Sequence, residues 1–199
     1  MGGHHDDDRR RIITAAYRCL AEPHSGPVPV SAILRGAGVS SRAFYRHFLS
    51  KDDLFLALLQ QECEAVVAAV DAVADAAVGT PTDQLAAWIA AVFDLVVDPQ
   101  QRLQLTVIDS EEVRAARGYR ELRERFHADR ERSLSEILRR GRHDGSFPLT
   151  EPEIDAVAIN AVVSRVLGNQ NSDDPQIRKQ AQETVLDFAL RAVGATGPR

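Results

Sequence analysis

Between residues 37 and 51 the chain gathers side chains that donate hydrogen bonds or carry positive charge: Ser40, Ser41, Arg42, Tyr45, Arg46, His47 and Lys51. The guanidinium of Arg42 can give two hydrogen bonds to one guanine edge. The Ser41 hydroxyl can bond a base or a phosphate, and Tyr45, His47 and Lys51 suit phosphate oxygens. The spacing says how they are held. Gly38 can take the left-handed conformation that ends a helix, Val39 can plug the corner, and Ser40 can cap the next helix. That helix, residues 41–48, is roughly 12 Å long at 1.5 Å per residue, about what a major groove admits. Phe44 and Phe48, four apart, face inward and leave Ser41, Arg42, Tyr45, Arg46 and His47 to point elsewhere. A helix closed by a glycine turn and followed by a small, donor-rich helix is the helix-turn-helix pattern.

The rest of the chain must position that segment. Its 199 residues are 44% hydrophobic and 27% charged, enough to bury a core in one or two domains. A net charge of -5 argues against a general nucleic-acid coat, but the charge is uneven. Residues 1–51 hold eight Lys and Arg against four Asp and Glu, and the remainder holds 16 against 25. A basic head on an acidic body can steer one end toward DNA.

Helical periodicity runs throughout. Residues 9–21 bury Ile12, Ile13, Ala16, Cys19 and Leu20, with Asp8 as the expected cap, and residues 1–8 form a polar tail. A short helix over 30–37 follows the Pro and Gly of 23–29. Ser50-Lys51-Asp52-Asp53 carries a capping-box signal for a helix reaching about residue 78. Thr80-Pro81 opens a helix to about residue 97 that is apolar nearly all round, as befits the middle of a bundle. Further helices are expected over 99–108, 119–142, 151–167 and 175–193. In the charged stretch 119–142, Glu121 with Arg125 and Glu136 with Arg140 are spaced to pair. Its arginines read more readily as a solvated face than as a DNA patch. No strand alternation and no repeat interrupts this, so the fold class is all-α.

No zinc spacing, phosphate loop or GxSxG elbow is present, which points away from an enzyme. His4 and His5, adjacent on a tail, make no metal site by themselves, and no cofactor is expected. Cys19 and Cys63 read as reduced thiols of a cytoplasmic protein. No apolar run is long enough to span a membrane.

With these residues in view, the chain resembles the TetR family of transcriptional repressors. The resemblance covers residues 9–58. It rests on Ile12-Ile13-Thr14-Ala15-Ala16-Tyr17-Arg18-Cys19-Leu20-Ala21-Glu22, on Ile33, on Ala37-Gly38-Val39-Ser40, on Phe44-Tyr45-Arg46-His47-Phe48, and on Ser50-Lys51 and Leu54. The chain departs from the family's usual pattern at His24, where a glycine is common, and at Pro29, where Ser or Thr often starts the second helix.

The resemblance implies a helix-turn-helix DNA-binding domain over residues 1–50 and a helical ligand-binding and dimerisation domain over 51–199. It implies DNA contacts at Ser40, Ser41, Arg42, Ala43, Tyr45, Arg46, His47 and Lys51, although Tyr45 and His47 also fit as packing between helices. It implies a homodimer through Ile154, Val157, Ala158, Ala161 and Val162 together with Val185, Leu186, Phe188, Ala189 and Ala192. A ligand pocket would draw on Trp88, Ile89, Phe93, Leu103, Phe126 and Asn160, each of which serves equally well as plain core. The implied function is a repressor of transcription on a palindromic double-stranded operator, released by a small apolar or aromatic effector. The alternative is a ligand-sequestering or partner-binding dimer that has lost DNA binding.

Overall fold

The computed structural model describes residues 3–168 and 174–195. Within them the chain is all helical: α1 (Gly3–Ala21), α2 (Val30–Ala37), α3 (Ser41–His47), α4 (Lys51–Ala76), α5 (Pro81–Asp94), α6 (Pro99–Ile108), α7 (Glu111–Arg114), α8 (Tyr119–Asp144), α9 (Pro152–Gly168) and α10 (Pro175–Ala192). The helices form two compact units. One holds the chain through Cys63 together with Pro99–Glu124; the other holds Glu64–Asp98 and the chain from Arg125 onward. A division at residue 50 therefore differs from the packing, because the start of α4 and the segment 99–124 fold with the head.

In the first unit α1 packs against α2, α3 and α6. Ile12, Ala16, Ile33, Phe44, Leu54 and Leu58 are fully buried at its centre. These are the residues that helical periodicity places on inward faces. The opening of α4 follows its sequence signal. Ser50 Oγ accepts the Asp53 N–H at 3.1 Å, and Asp53 Oδ2 reaches back to the Leu49 N–H at 2.9 Å. Orphan donors at a helix start are thereby satisfied.

In the second unit α5 packs on α9 and α10, and α9 packs on α10. Leu85, Trp88, Ile89, Val92 and Phe93 of α5 meet Leu134, Ile137 and Leu138 of α8, Ile159 and Val163 of α9, and Val185 and Ala189 of α10. The apolar helix is thus central. Its start is a full capping box, in which Thr80 Oγ1 accepts the Asp83 N–H at 3.2 Å and Asp83 Oδ2 accepts the Thr80 N–H at 2.9 Å. The Thr80 hydroxyl also donates to Asp83 Oδ2 at 2.7 Å, and this bond, with the Thr80 N–H, holds the Asp83 carboxyl below its ordinary pKa.

Several expectations are corrected. α1 begins at Gly3, so Asp8 lies inside the helix and is not its cap. Asp8 instead pairs with Arg11 of its own helix at 3.6 Å. The side chains of His4 and His5 lie outside those described. α4 stops at Ala76, with Ala77 at φ 45 and Gly79 at φ 79 turning the chain. α5 stops at Asp94 and residues 95–97 form a turn. Arg140 turns inward, away from Glu136, to Gln84 Oε1 at 2.9 Å and the Ala74 carbonyl at 3.0 Å. The one-turn helix α7 carries no sequence periodicity long enough to read.

Candidate nucleic-acid interface

The turn between α2 and α3 is built as its residues require. Gly38 sits at φ 63 and ψ 37; its N–H bonds the Arg35 carbonyl at 3.2 Å, and the Val39 N–H bonds the Leu34 carbonyl at 3.2 Å. A residue with a Cβ would be strained there. Arg11 of α1 donates to the Gly38 carbonyl at 3.1 Å and so braces the corner from outside. Ser40 Oγ accepts the Ala43 N–H at 3.2 Å and starts α3. Pro29 precedes α2 with no side-chain cap, which is the hydroxyl that the sequence lacks there.

Phe44 and Phe48 turn inward and touch, their ring centroids 5.5 Å apart. Arg9 of α1 lies 5.7 Å from the centre of the Phe48 ring. This anchoring leaves Ser40, Ser41, Arg42, Tyr45 and Arg46 exposed on one side, with Tyr45 at 62%. Among the described residues, Ser41 and Arg42 have no hydrogen bond or ion pair, so the Arg42 fork is presented to solvent with all its donors. Arg46 is paired with Asp8 at 3.2 Å.

Two expected contacts are placed differently. Ala43 is 5% exposed and packs inward beside Phe44, so its methyl does not join the exposed face. Lys51 is held by the carboxylate of Glu112, with its ammonium 5.1 Å from the Phe55 ring centre. His47 is half-buried. Sequence reading missed Asp8 and Glu112. Asp8 carries no signal for a partner on another helix, and Glu112 lies on α7, 61 residues beyond Lys51.

Residues 12–58 match the model of bacterial regulatory proteins of the tetR family. That match covers the helix-turn-helix head, and through it the chain is similar to the TetR family. A relative, the HTH-type transcriptional repressor Rv1474c of Mycobacterium tuberculosis, is 33% identical over 92 residues, a match spanning 44% of this chain and 48% of that protein. The chain thus matches about half the length of that curated relative. Among solved structures, a SmeT–triclosan complex superposes with a TM-score of 0.76 at 23% identity, covering 93% of this chain and 90% of that one. FadR of Bacillus subtilis, solved in complex with stearoyl-CoA, gives a TM-score of 0.73 at 19% identity, covering 92% of this chain and 98% of that one. At these identities the likeness to solved structures establishes the fold.

The remaining candidates fall into distinct places. Trp88, Ile89 and Phe93 are fully buried in the second unit, where Asn160 is 1% and Phe126 8% exposed. Leu103 is corrected. It belongs to the other unit, is 43% exposed, and lines an open cleft of about 960 Å³ with Ile13, Tyr17 and Gln61. Of the residues expected at a dimer contact, Ile154, Val157, Ala158 and Ala161 form an exposed stripe on α9, with Phe188 and Ala192 exposed on α10. Val162 and Leu186 are partly buried against the unit's own core. Val185 and Ala189 are spent inside that core, at 1% and 0% exposure, and cannot face a partner.

Proposed function

We propose that the chain is a DNA-binding regulator of transcription that reads its operator through the exposed face of α3. The observation that carries this is the Ser40-capped helix behind the Gly38 corner, which turns Ser41, Arg42, Tyr45 and Arg46 outward while Phe44 and Phe48 fix it from below. Arg42 supplies base readout, and Tyr45, Arg46, His47 and Lys51 supply phosphate contacts. One short helix reads too few base pairs for useful specificity. The α9 and α10 face, apolar and exposed, therefore brings a second copy and a palindromic operator.

Repression is the default sign, supported by the mycobacterial relative described as a repressor. Release by a small apolar or aromatic effector is supported by the ligands named for SmeT and FadR, triclosan and stearoyl-CoA. The effector would favour a dimer whose recognition helices no longer match groove spacing. A coupling of about 1–3 kcal/mol would weaken DNA binding roughly 5- to 150-fold.

The deciding experiment is selection of bound duplex from a random pool, followed by fluorescence anisotropy at fixed salt. The expected result is a two-fold-symmetric sequence bound at least about 10³ times more tightly than random duplex. Equal binding to both would reject the reading and leave a helical dimer without DNA recognition.

A further inference from the structure

The second unit sets polar side chains into an otherwise apolar core where α5, α8 and α9 meet. Asn160 donates through Nδ2 to Glu131 Oε1 at 3.0 Å, with His127 Nδ1 at 3.4 Å. An ionised carboxylate accepts hydrogen bonds and cannot donate them, so Glu131 dictates which end of the amide faces it. The Asn160 Oδ1 is thereby turned away, and among the described residues it is buried with no hydrogen-bond partner. Trp88 is 0% exposed, and its Nε1–H is buried without a partner as well. Such groups carry a desolvation cost that native cores rarely leave unmet.

Arg130 links the surroundings of the two groups. The Arg130 guanidinium lies 5.7 Å from the Trp88 ring centre, and its Nη1 reaches Ser164 Oγ at 3.5 Å. Ser164 stands one helical turn beyond Asn160 on α9, and Arg130 adjoins Glu131 on α8. His127, Glu131 and Ser164 are half-exposed, so the patch reaches the surface on that side. Phe126 supplies an apolar neighbour on α8.

We propose that this patch is the effector site and that it selects a flat aromatic molecule carrying both a hydrogen-bond acceptor and a hydroxyl or N–H donor. The acceptor takes the Trp88 N–H, the donor meets Asn160 Oδ1, and the Arg130 guanidinium stacks on the ring. A bare hydrocarbon would leave both groups unmet. This rests on the ligand-controlled reading above and narrows its ligand from apolar or aromatic molecules to hydroxylated or amide-bearing aromatics.

The chain has one tryptophan, so nitrogen-15-labelled full-length protein gives a single indole N–H resonance reporting on this site alone. The probes are biphenyl, para-methoxybiphenyl and para-hydroxybiphenyl, with affinities from calorimetry. The hydroxylated probe is expected to bind at least about tenfold more tightly than biphenyl. It should also move the indole proton downfield. Asn160→Leu should abolish the preference for hydroxyl over methoxy while its circular dichroism stays that of the parent. Should that variant fail to fold, Trp88→Phe should reduce the preference for methoxy over the hydrocarbon. Equal affinities, an unmoved indole resonance or no binding by any probe overturns the assignment. Operator affinity measured in the same titrations separates the two claims. A probe that binds as described and leaves DNA binding unchanged overturns ligand control alone. DNA release without an indole shift overturns the site alone.

Discussion

The Lys51 ammonium is paired with the Glu112 carboxylate, which also accepts the Val28 N–H, at 3.0 Å through Oε1 and 3.2 Å through Oε2. One acid thus ties the start of α4 to the approach to α2 and to α7. A phosphate reaching Lys51 must compete with it. Glu112→Gln keeps an acceptor for Val28 and removes the competing charge. The variant should bind operator more tightly, by on the order of 3- to 10-fold at low salt, and its slope of log K against log salt should steepen by about 0.9. Anisotropy over a salt series measures both. An unchanged slope means that the Glu112 charge does not keep Lys51 from a phosphate.

Arg42 and Tyr45 share the exposed face of α3 but should fail differently. Arg42→Ala is expected to cost about 1–3 kcal/mol at a single base position and to relax preference there. Tyr45→Phe should weaken all duplexes alike and leave the preferred sequence intact. Sequencing of the selected pools for both variants distinguishes these outcomes. An unaltered preference in Arg42→Ala would show that its guanidinium reads no base.

What the sequence made legible was local. Gly38, Ser40, Phe44 and Phe48 act on neighbours within a turn or two, and the structure places each as its type dictates. Helix starts at Ser50, Thr80 and Asp174 were readable for the same reason, since a cap bonds two or three residues ahead. Partners distant in the chain were not. Glu112 gives no hint that it faces Lys51, and Val185 and Ala189 share the small apolar character of Ala158 and Ala161 while pointing the opposite way. A helical face identifies itself by period, but which apolar face meets its own core and which is left outside depends on tertiary packing. Leu103 went astray on the same account, because the chain folds 99–124 back into the first unit.

Gly141 lies within α8, and a Cβ there would stand 2.0 Å from Cδ2 of the Phe147 ring, itself fully buried. Helix propensity favours alanine over glycine by about 1 kcal/mol. Overpacking a closed core costs about 1–3 kcal/mol, and a contact this short cannot relax by turning the ring end alone. Gly141→Ala should therefore be net destabilising. Gly168, at the end of α9, has nothing within 4 Å of its Cβ position, so Gly168→Ala should be neutral or slightly stabilising. Urea denaturation of the pair tests the contrast.

Tyr17 Oη donates to Glu62 Oε1 at 2.7 Å and approaches the Leu58 carbonyl at 3.2 Å, inside the first unit. Burial raises the Glu62 pKa above its ordinary 4.5, with hydrogen bonds from Tyr17 and Gln61 pulling the other way. The folded state then holds that proton more tightly than the unfolded chain. This group's contribution is most favourable below about 4.5 and declines as pH rises through the raised folded value. Glu62→Gln should flatten the loss of stability between about pH 5 and about pH 7.5 relative to the parent. Tyr17→Phe removes the opposing hydrogen bond, so it should cost about 1–3 kcal/mol at neutral pH and steepen the decline. Denaturant midpoints at the two pH values decide; parallel profiles for all three proteins would remove Glu62 from the account.

Ile154, Val157, Ala158 and Ala161 recur at helical spacing on α9 and are exposed, and Phe188 on α10 is 39% exposed. None of them is needed by the core, where Ala156, Ile159 and Val163 already fill the opposite face of α9. An apolar stripe that serves no internal purpose is expected to serve an external one. If it joins two copies, a charge placed on it must be buried unpaired in the dimer and remains hydrated in the monomer. Val157→Glu and Phe188→Glu should therefore halve the sedimenting mass without lowering the helical content. With the second reading head lost, affinity for a full palindrome should fall by on the order of 10²-fold, while binding to an isolated half-site stays as it was. Analytical ultracentrifugation and half-site anisotropy together give the answer. A variant that stays dimeric and binds the palindrome normally would move the contact to another surface of the chain.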